Sequence, residues 1–422
     1  MSLKVRSLKN NLTVISKQVP EARSVTVLIL VRTGSRYEEK RTSGIAHFAE
    51  HMFFKGTKKR PTTLEISSLI DGIGGEFNAF TSKEYTGYYI KARAKKLDLL
   101  LDVLSDMLRN SKFDKAEIGR ERGVINEELR MYLDTPMKHI GDVYENLLYG
   151  DQPLGWDIIG TLKSLANIKH EDFLEFQNRY YAPENMLVSI AGGVSHDDIL
   201  NITNKYLGKL KSKNPATYLP VKFSQNKPAL ILVNKKTEQA HLAIGFRSYH
   251  RGHKNHYKLV VLNAILGSSM SSRLFIQLRE RRGLAYYIRS VSEEYSDTGS
   301  FVAQAGVAPA NIEEAIKVIL PEFKEIAKVE VNAEELKKAK EHIKGRLVLE
   351  LEDSREMALM FGLQQLLEGK IRTTEEIFKN IDAVSAQDVQ KVAKDIFKNE
   401  GLNLAIIGPY KDEAKFAKIL SL

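Results

Sequence analysis

The strongest constraint on this chain is that it is written twice. The stretch "SVTVLILVRTGS" returns as "QAHLAIGFRS", with Arg32 and Arg247 matched 215 positions apart. Further on, "KHEDFLEFQNRYYAPENMLVSIAGG" aligns without a gap to "SAQDVQKVAKDIFKNEGLNLAIIGP", Asp172 matching Asp388 at an offset of 216. Two matches at nearly one offset mean two copies of a unit of ordinary domain size. A length of 422 residues is also too long for one hydrophobic core. The polar, proline-bearing stretch "KSKNPATYLPVKFSQNKP", 211–228, reads as the linker, which places the two domains at 1–210 and 229–422.

Within the first copy the elements alternate. Strand-like "SVTVLILVRTGS" leads to a helix over 44–55. Helix "TTLEISSLIDGIG", strands "GEFNAFTS" and "TGYYIKARA", further helices and the closing strand "NMLVSIAGG" follow. The expected fold class is α+β with α/β alternation: two homologous domains, each a mostly antiparallel sheet packed with helices.

Composition removes several functions. The chain has no cysteine, so disulfides, thiolate zinc ligands and cysteine nucleophiles are all excluded, and any metal must be held by histidine and carboxylate. No apolar run approaches the ~20 residues that span a bilayer. The opening "MSLKVRSLKNNLTVISKQV" has no apolar signal region and alternates like a strand, so the expected location is the cytoplasm, with no membrane partner. The formal charge of +10 raises nucleic acid as a partner. However, lysines interleaved with glutamates, as in "EEAIKVILPEFKEIAKVEVNAEELKKAKEHIKGRL", read as solvated helix faces, and no basic stripe with interleaved aromatics is present; none is expected to bind nucleic acid.

The duplication isolates the chemistry. In "SGIAHFAEHMFFKG", 43–56, His47, Glu50 and His51 interrupt an apolar helix that Thr42 or Ser43 can cap and Gly56 can close. Moving 215 positions on lands on Leu262, Ile265 and Leu266 of "VVLNAILG". The fold therefore does not require the two imidazoles and the carboxylate. Residues four apart lie on adjacent turns, and Glu50 flanks both histidines. The pattern H-x-x-E-H is the inverted form of the zinc peptidase motif H-E-x-x-H. The competing reading is a pair of core histidines satisfied by backbone groups.

A catalytic zinc site takes three protein ligands. On the helix "DKAEIGRERGVINEELRMYLDTP", Glu127 shares a face with Arg120 and Arg130 and reads as a solvated ion pair. Glu121 and Glu128 fall on a partly apolar stripe with Val124 and Met131, where a buried carboxylate needs a cation. Other histidines are weaker candidates. His250, His253 and His256 of "YHRGHKNHY" are interrupted by Gly252 and flanked by Arg251 and Lys254, and His241 reads as a strand side chain.

With these residues in place, the chain resembles the pitrilysin and insulinase family of zinc metallopeptidases over nearly its whole length. It is similar to short single-chain members such as the beta-type subunits of mitochondrial processing peptidase. In that family the glutamate ligand follows the motif after about 76 residues; here 76 residues separate His51 from Glu128, which selects Glu128. The resemblance implies one Zn2+ per chain on His47, His51 and Glu128, with Glu50 as general base and Glu121 as a supporting carboxylate. It implies that Asn78, Ala79, Phe80 and Thr81, in "GEFNAFTSKEYTGYY", take up substrate as an added strand. It further implies that Arg279 and Tyr286, in "SSRLFIQLRERRGLAYYI", reach across from the second copy to hold substrate backbone and stabilise the oxyanion. Read alone, those two would be a surface charge and a core aromatic, and Arg281, Arg282 and Tyr287 are close neighbours. The implied activity is hydrolysis of peptides or unfolded polypeptides inside a dimeric clamshell. A homodimer is expected because both motifs lie on one chain, with a heteromeric complex as the alternative. A non-catalytic scaffold or processing-complex subunit of the same fold is the rival function.

Overall fold

The computed structural model describes residues 2–214 and 217–422; residues 215–216 of the expected linker lie outside the described residues. Eleven strands form among the described residues: β1 (Ser2–Ser7), β2 (Thr13–Gln18), β3 (Ser24–Val31), β4 (Glu76–Thr81), β5 (Thr86–Arg93), β6 (Met186–Gly192), β7 (Ala229–Asn234), β8 (Ala240–Ser248), β9 (Ala285–Glu294), β10 (Gly299–Val307) and β11 (Asn403–Gly408). They build two sheets, ordered β1-β2-β6-β3-β5-β4 and β7-β11-β8-β10-β9. Leaving out β1, the two orders correspond strand for strand. The single parallel pairing of each sheet also falls in the same place, β2 with β6 and β7 with β11. All other pairings are antiparallel. The duplication seen in the sequence is therefore a duplication of topology.

The central strands are rich in β-branched and aliphatic residues because both of their faces are covered. In β3, Val25, Val27, Ile29 and Val31 pack into the core that contains helix Ile45–Phe53, while Leu28 and Leu30 face the opposite side. In β8, Leu242, Ile244 and Phe246 enter one core and Ala243 the other. No helix among the described residues is long and apolar enough to cross a membrane.

The compact units differ from the two sequence copies at two helices. The first unit takes the chain through Arg130, then Trp156–Leu219 and Val348–Ile371; the second takes Met131–Gly155, Pro220–Leu347 and Arg372–Leu422. Helix Pro136–Tyr149, from the first copy, places Ile140 and Tyr144 against Ala243, Val302, Ala405 and Ile407 of the second sheet. Helix Ser354–Glu368, from the second copy, places Met357, Ala358 and Phe361 against Ile15, Leu28, Leu30 and Leu187 of the first. Each copy thus contributes one helix to the unit built mainly by the other.

The matched arginines explain how these helices end. The Arg32 guanidinium donates to the Leu367 carbonyl at 3.5 Å, and that of Arg247 donates to the Leu148 carbonyl. Both acceptors lie in the last turn, where carbonyls lack helical partners and a cation is favoured. A glycine in the left-handed region follows in each case, Gly150 and Gly369, both at φ 69°.

Helix Ser354–Glu368 sits closest to its sheet at Gly362, where a Cβ would lie 2.7 Å from Leu30 Cδ1 and 3.3 Å from Ser189 Cβ. Gly362→Val is expected to destabilise the protein by about 1–3 kcal/mol through overpacking. A urea unfolding midpoint equal to that of the parent protein would show that the helix is not seated there.

Candidate metal centre

Helix Ile45–Phe53 is fixed by its apolar side. Ile45, Ala46, Phe48, Ala49, Met52 and Phe53 are buried, with Phe48 edge-on to Phe173 at 4.9 Å and Phe53 edge-on to Tyr88 at 5.5 Å. That packing sets the rotation of the helix and leaves His47, Glu50 and His51 on its other side. Helix Lys115–Leu133 buries Ile118, Glu121, Ile125 and Leu129, a stripe of helical period that carries Glu121 into the protein and leaves Glu128 half-exposed. Glu127 lies outside it, exposed and paired with Arg130.

The two helices bring three ligand atoms together. The rings of His47 and His51 are 4.6 Å apart, His47 Nε2 is 3.8 Å from Glu128 Oε1, and His51 Nε2 is 3.6 Å from Glu128 Oε2. One ligand atom from each of these residues lies within 4.8 Å of the other two. Tetrahedral coordination with zinc bonds of 2.0–2.2 Å separates ligand atoms by about 3.4 Å, so a small closure of this arrangement would seat the ion. Glu50 stands beside the group without joining it; its Oε2 accepts a hydrogen bond of 2.5 Å from the Thr81 hydroxyl.

The two imidazoles are shifted in opposite directions. Burial, reinforced by neighbouring His51, pushes the His47 imidazole down to about 3, leaving a neutral ring. At His51, burial also acts downward, but Glu121, Glu50 and Glu128 together outweigh it and the pKa is raised. His51 Nδ1 donates to Glu121 Oε1 at 2.9 Å, which directs the Nε2 lone pair at the site. Burial acts to raise the Glu121 carboxyl, and the hydrogen bonds from His51 and Lys55 hold it below the usual range. Glu50 is raised by burial against the pull of Thr81 and His51. The donor set, two imidazole nitrogens and one carboxylate oxygen with a second carboxyl group beside them, is one that a zinc ion accepts. The residues present therefore fit Zn2+.

Two residues at this centre escaped the sequence reading. Lys55 Nζ meets Glu121 Oε2 at 2.6 Å, completing a chain from Lys55 through Glu121 to His51. Its spacing of four from His51 was a usable signal. The second is Glu38. The helix was expected to be capped by Thr42 or Ser43, but its N-cap is Gly44, at φ 95°, with no side chain to offer. The buried Glu38 carboxylate takes the amides instead, Gly44 N–H at 2.7 Å on Oε2 and Ala46 N–H at 2.8 Å on Oε1. Burial pushes this carboxyl up to about 8, and each oxygen keeps a lone pair for its amide in either protonation state. No local pattern marks a residue six positions upstream as a cap.

The remaining candidates fall as follows. Asn78, Ala79, Phe80 and Thr81 lie on β4, an edge strand of the first sheet, and Ala79 N–H is taken by Asn78 Oδ1 at 2.9 Å. The Phe80 ring covers Gly87, where any side chain would collide with it. Arg279 and Tyr286 are side by side: the guanidinium donates to the Tyr286 carbonyl at 2.9 Å and lies 5.6 Å from its ring, which is largely exposed. Tyr287 is engaged elsewhere, its hydroxyl 3.0 Å from His241 Nδ1, and Arg282 turns back to Gln277. His256 pairs with Glu294 at 2.8 Å, and His250 and His253 join no metal-holding group among the described residues.

The chain is similar to known proteins over nearly its whole length. Residues 13–162 match the family model described as insulinase, peptidase family M16, and residues 167–343 match the peptidase M16 inactive domain. An uncharacterized zinc protease of Bacillus subtilis, YmxG, is 37% identical over 408 residues, 96% of this chain and 98% of the relative. An uncharacterized zinc protease of Rickettsia felis is 35% identical over 406 residues, 96% of this chain and 97% of the relative. The crystal structure of a protease from Helicobacter pylori superposes with a TM-score of 0.89 at 26% identity, covering 97% of this chain and 99% of that one. A peptidase M16 inactive domain from Pseudomonas fluorescens shares the fold at TM-score 0.90, with 17% identity, over 97% of this chain and 98% of its own.

The charge states set the pH dependence of metal binding. His51, raised above the ordinary 6.5, must lose a proton to bind, whereas His47 is already neutral. Zinc affinity is expected to weaken as pH falls through the raised His51 pKa, approaching about tenfold per pH unit and one proton released per ion once that ring is fully protonated. Isothermal titration in buffers of different ionisation enthalpy reads that number; two protons, or none, would contradict these assignments.

Proposed function

Because the chain belongs to the insulinase family, peptidase family M16, we propose that it is a zinc-dependent endopeptidase that hydrolyses peptides and unfolded polypeptides. The observation that carries this reading is the convergence of His47, His51 and Glu128 with Glu50 beside them and off the group. His47 Nε2, His51 Nε2 and a Glu128 oxygen would hold the ion. Zn2+ in such a site supplies Lewis acidity, polarising a carbonyl oxygen and lowering the pKa of water toward ~7.

This chain's own groups supply the rest. Glu50, raised by its buried setting, accepts the proton of the attacking water and passes it to the leaving amine. The Thr81 hydroxyl fixes which Glu50 oxygen remains free for that transfer. Glu121 orients His51 and is itself kept ionised by Lys55. The β4 edge accepts the substrate as an extra strand, reading main chain rather than sequence, which suits an enzyme with many substrates. Ala79 is the natural donor, since its N–H already pairs outside the sheet ladder. Arg279 and Tyr286, adjacent and exposed, are assigned to the substrate backbone and the developing oxyanion on the strength of the family resemblance. The working form is a homodimeric chamber, again on that resemblance, and its proposed location is the cytoplasm, as expected from the sequence composition.

The rival reading is a catalytically silent scaffold. The inactive-domain match covers residues 167–343, whereas His47, His51, Glu121 and Glu128 all precede it. The first copy keeps a complete set of ligands, which favours catalysis.

Glu50→Gln is expected to retain one zinc per chain while hydrolysis of a fluorogenic peptide falls about 10²–10⁴-fold. His51→Ala should lose both metal and activity. A fully active Glu50→Gln protein would remove Glu50 from the mechanism. An enclosed chamber also demands selection by size: unfolded peptides tens of residues long should be cut while compact folded proteins are spared. Fast digestion of a compact folded protein would rule the chamber out.

A further inference from the structure

The two ligand histidines are held in different ways. His51 is tied at its outer nitrogen, Nδ1 to Glu121 and Glu121 to Lys55. His47 has no counterpart: its Nδ1 is buried and finds no hydrogen-bond partner among the described residues. A ligating imidazole ordinarily owes its orientation to a hydrogen bond at the second nitrogen. With no hydrogen bond at that nitrogen, the direction of the His47 ring rests on its packing, which includes the His51 ring 4.6 Å away, and on the main chain that carries it.

That main chain is the first turn of the motif helix, Ile45–Ala46–His47. Helix N-termini leave amides unpaired, and an unanchored first turn frays. Gly44 cannot anchor it with a side chain, because a Cβ there would lie 2.6 Å from the Ile159 carbonyl oxygen and the backbone is already left-handed. The amides of Gly44, just before the turn, and of Ala46, inside it, both end on Glu38, one on each oxygen. Glu38 is only 6% exposed, so water does not compete for these bonds.

We propose that Glu38 is the positioning residue for His47, holding the first turn through the Gly44 and Ala46 amides so that the imidazole points at the metal without a hydrogen bond of its own. Glu38 touches neither metal nor substrate. The inference rests on the reading of His47 as a ligand.

If Glu38 were a purely stabilising cap, its loss would lower the unfolding midpoint and leave the metal affinity of the folded protein unchanged. Glu38→Gln keeps the shape of the side chain but presents an amide NH2 where one oxygen accepted. The test is competition between a chromophoric chelator and the protein for Zn2+, with the absorption spectrum of the Co2+-loaded protein as a second readout. The parent protein, Glu38→Gln and Glu38→Asp would be compared, the last withdrawing the carboxylate by one methylene. Gly362→Val is the control for lost stability alone. The expected result is that each Glu38 variant that folds, judged by circular dichroism, binds zinc at least about tenfold more weakly and shifts the cobalt bands, while Gly362→Val does neither. Parent-like zinc affinity and cobalt bands in a folded Glu38→Gln or Glu38→Asp protein would overturn the proposal. Failure of the parent protein to bind zinc would instead overturn the functional reading beneath it.

Discussion

The interaction on which the rest depends is the one between His51 and Glu121. It joins the motif helix to helix Lys115–Leu133, and those two helices carry every ligand atom of the centre. At 2.9 Å, with Lys55 closing the far side of the carboxylate, it sets the tautomer of His51 and the spacing between the helices. Glu128 then arrives opposite both imidazoles by helical geometry alone, two turns beyond Glu121. The bond also accumulates negative charge around a partly buried spot. Lys55 and the raised Glu50 carboxyl relieve part of that charge, and a cation shared among the carboxyl groups would relieve the rest.

The duplicated architecture explains why one copy can carry chemistry and the other need not. Both sheets follow the same strand order, and in both the helix after the second of the matched strands packs an apolar face on the core. In the second copy that helix, His256–Gly267, has Leu262, Ile265 and Leu266 where the first has His47, Glu50 and His51. The scaffold tolerates either set. Polar residues in the first copy therefore serve the centre rather than the fold, and the covering helices retained by both copies serve the fold.

Much of this was legible in the sequence, for identifiable reasons. The repeat could be read because Arg32 and Arg247 perform one task, closing the exchanged helices at their last carbonyls. His47, Glu50 and His51 stood out because helical periodicity alone places them together; Glu121 was picked out on a stripe with Val124 and Met131, but both of those are exposed, and the stripe that buries Glu121 runs through Ile118, Ile125 and Leu129. The exchange of helices Pro136–Tyr149 and Ser354–Glu368 was hidden, since an apolar face does not say which sheet will cover it. Glu38 was hidden for a related reason: its partners are backbone amides brought near by the loop over 34–44, and no side-chain pattern records them. Thr81 was visible as part of an edge strand, but its hydrogen bond to Glu50 depends on how β4 lies beside the motif helix.

The central claim is that one cation is held by two imidazoles and a carboxylate from another helix. The most direct measurement is anomalous X-ray diffraction across the zinc absorption edge, on crystals of protein purified without chelators. The account requires a single strong anomalous peak per chain, within bonding distance of His47 Nε2, His51 Nε2 and a Glu128 oxygen, with Glu50 outside that distance. A map without a peak there, or with the metal held by other residues, would contradict it.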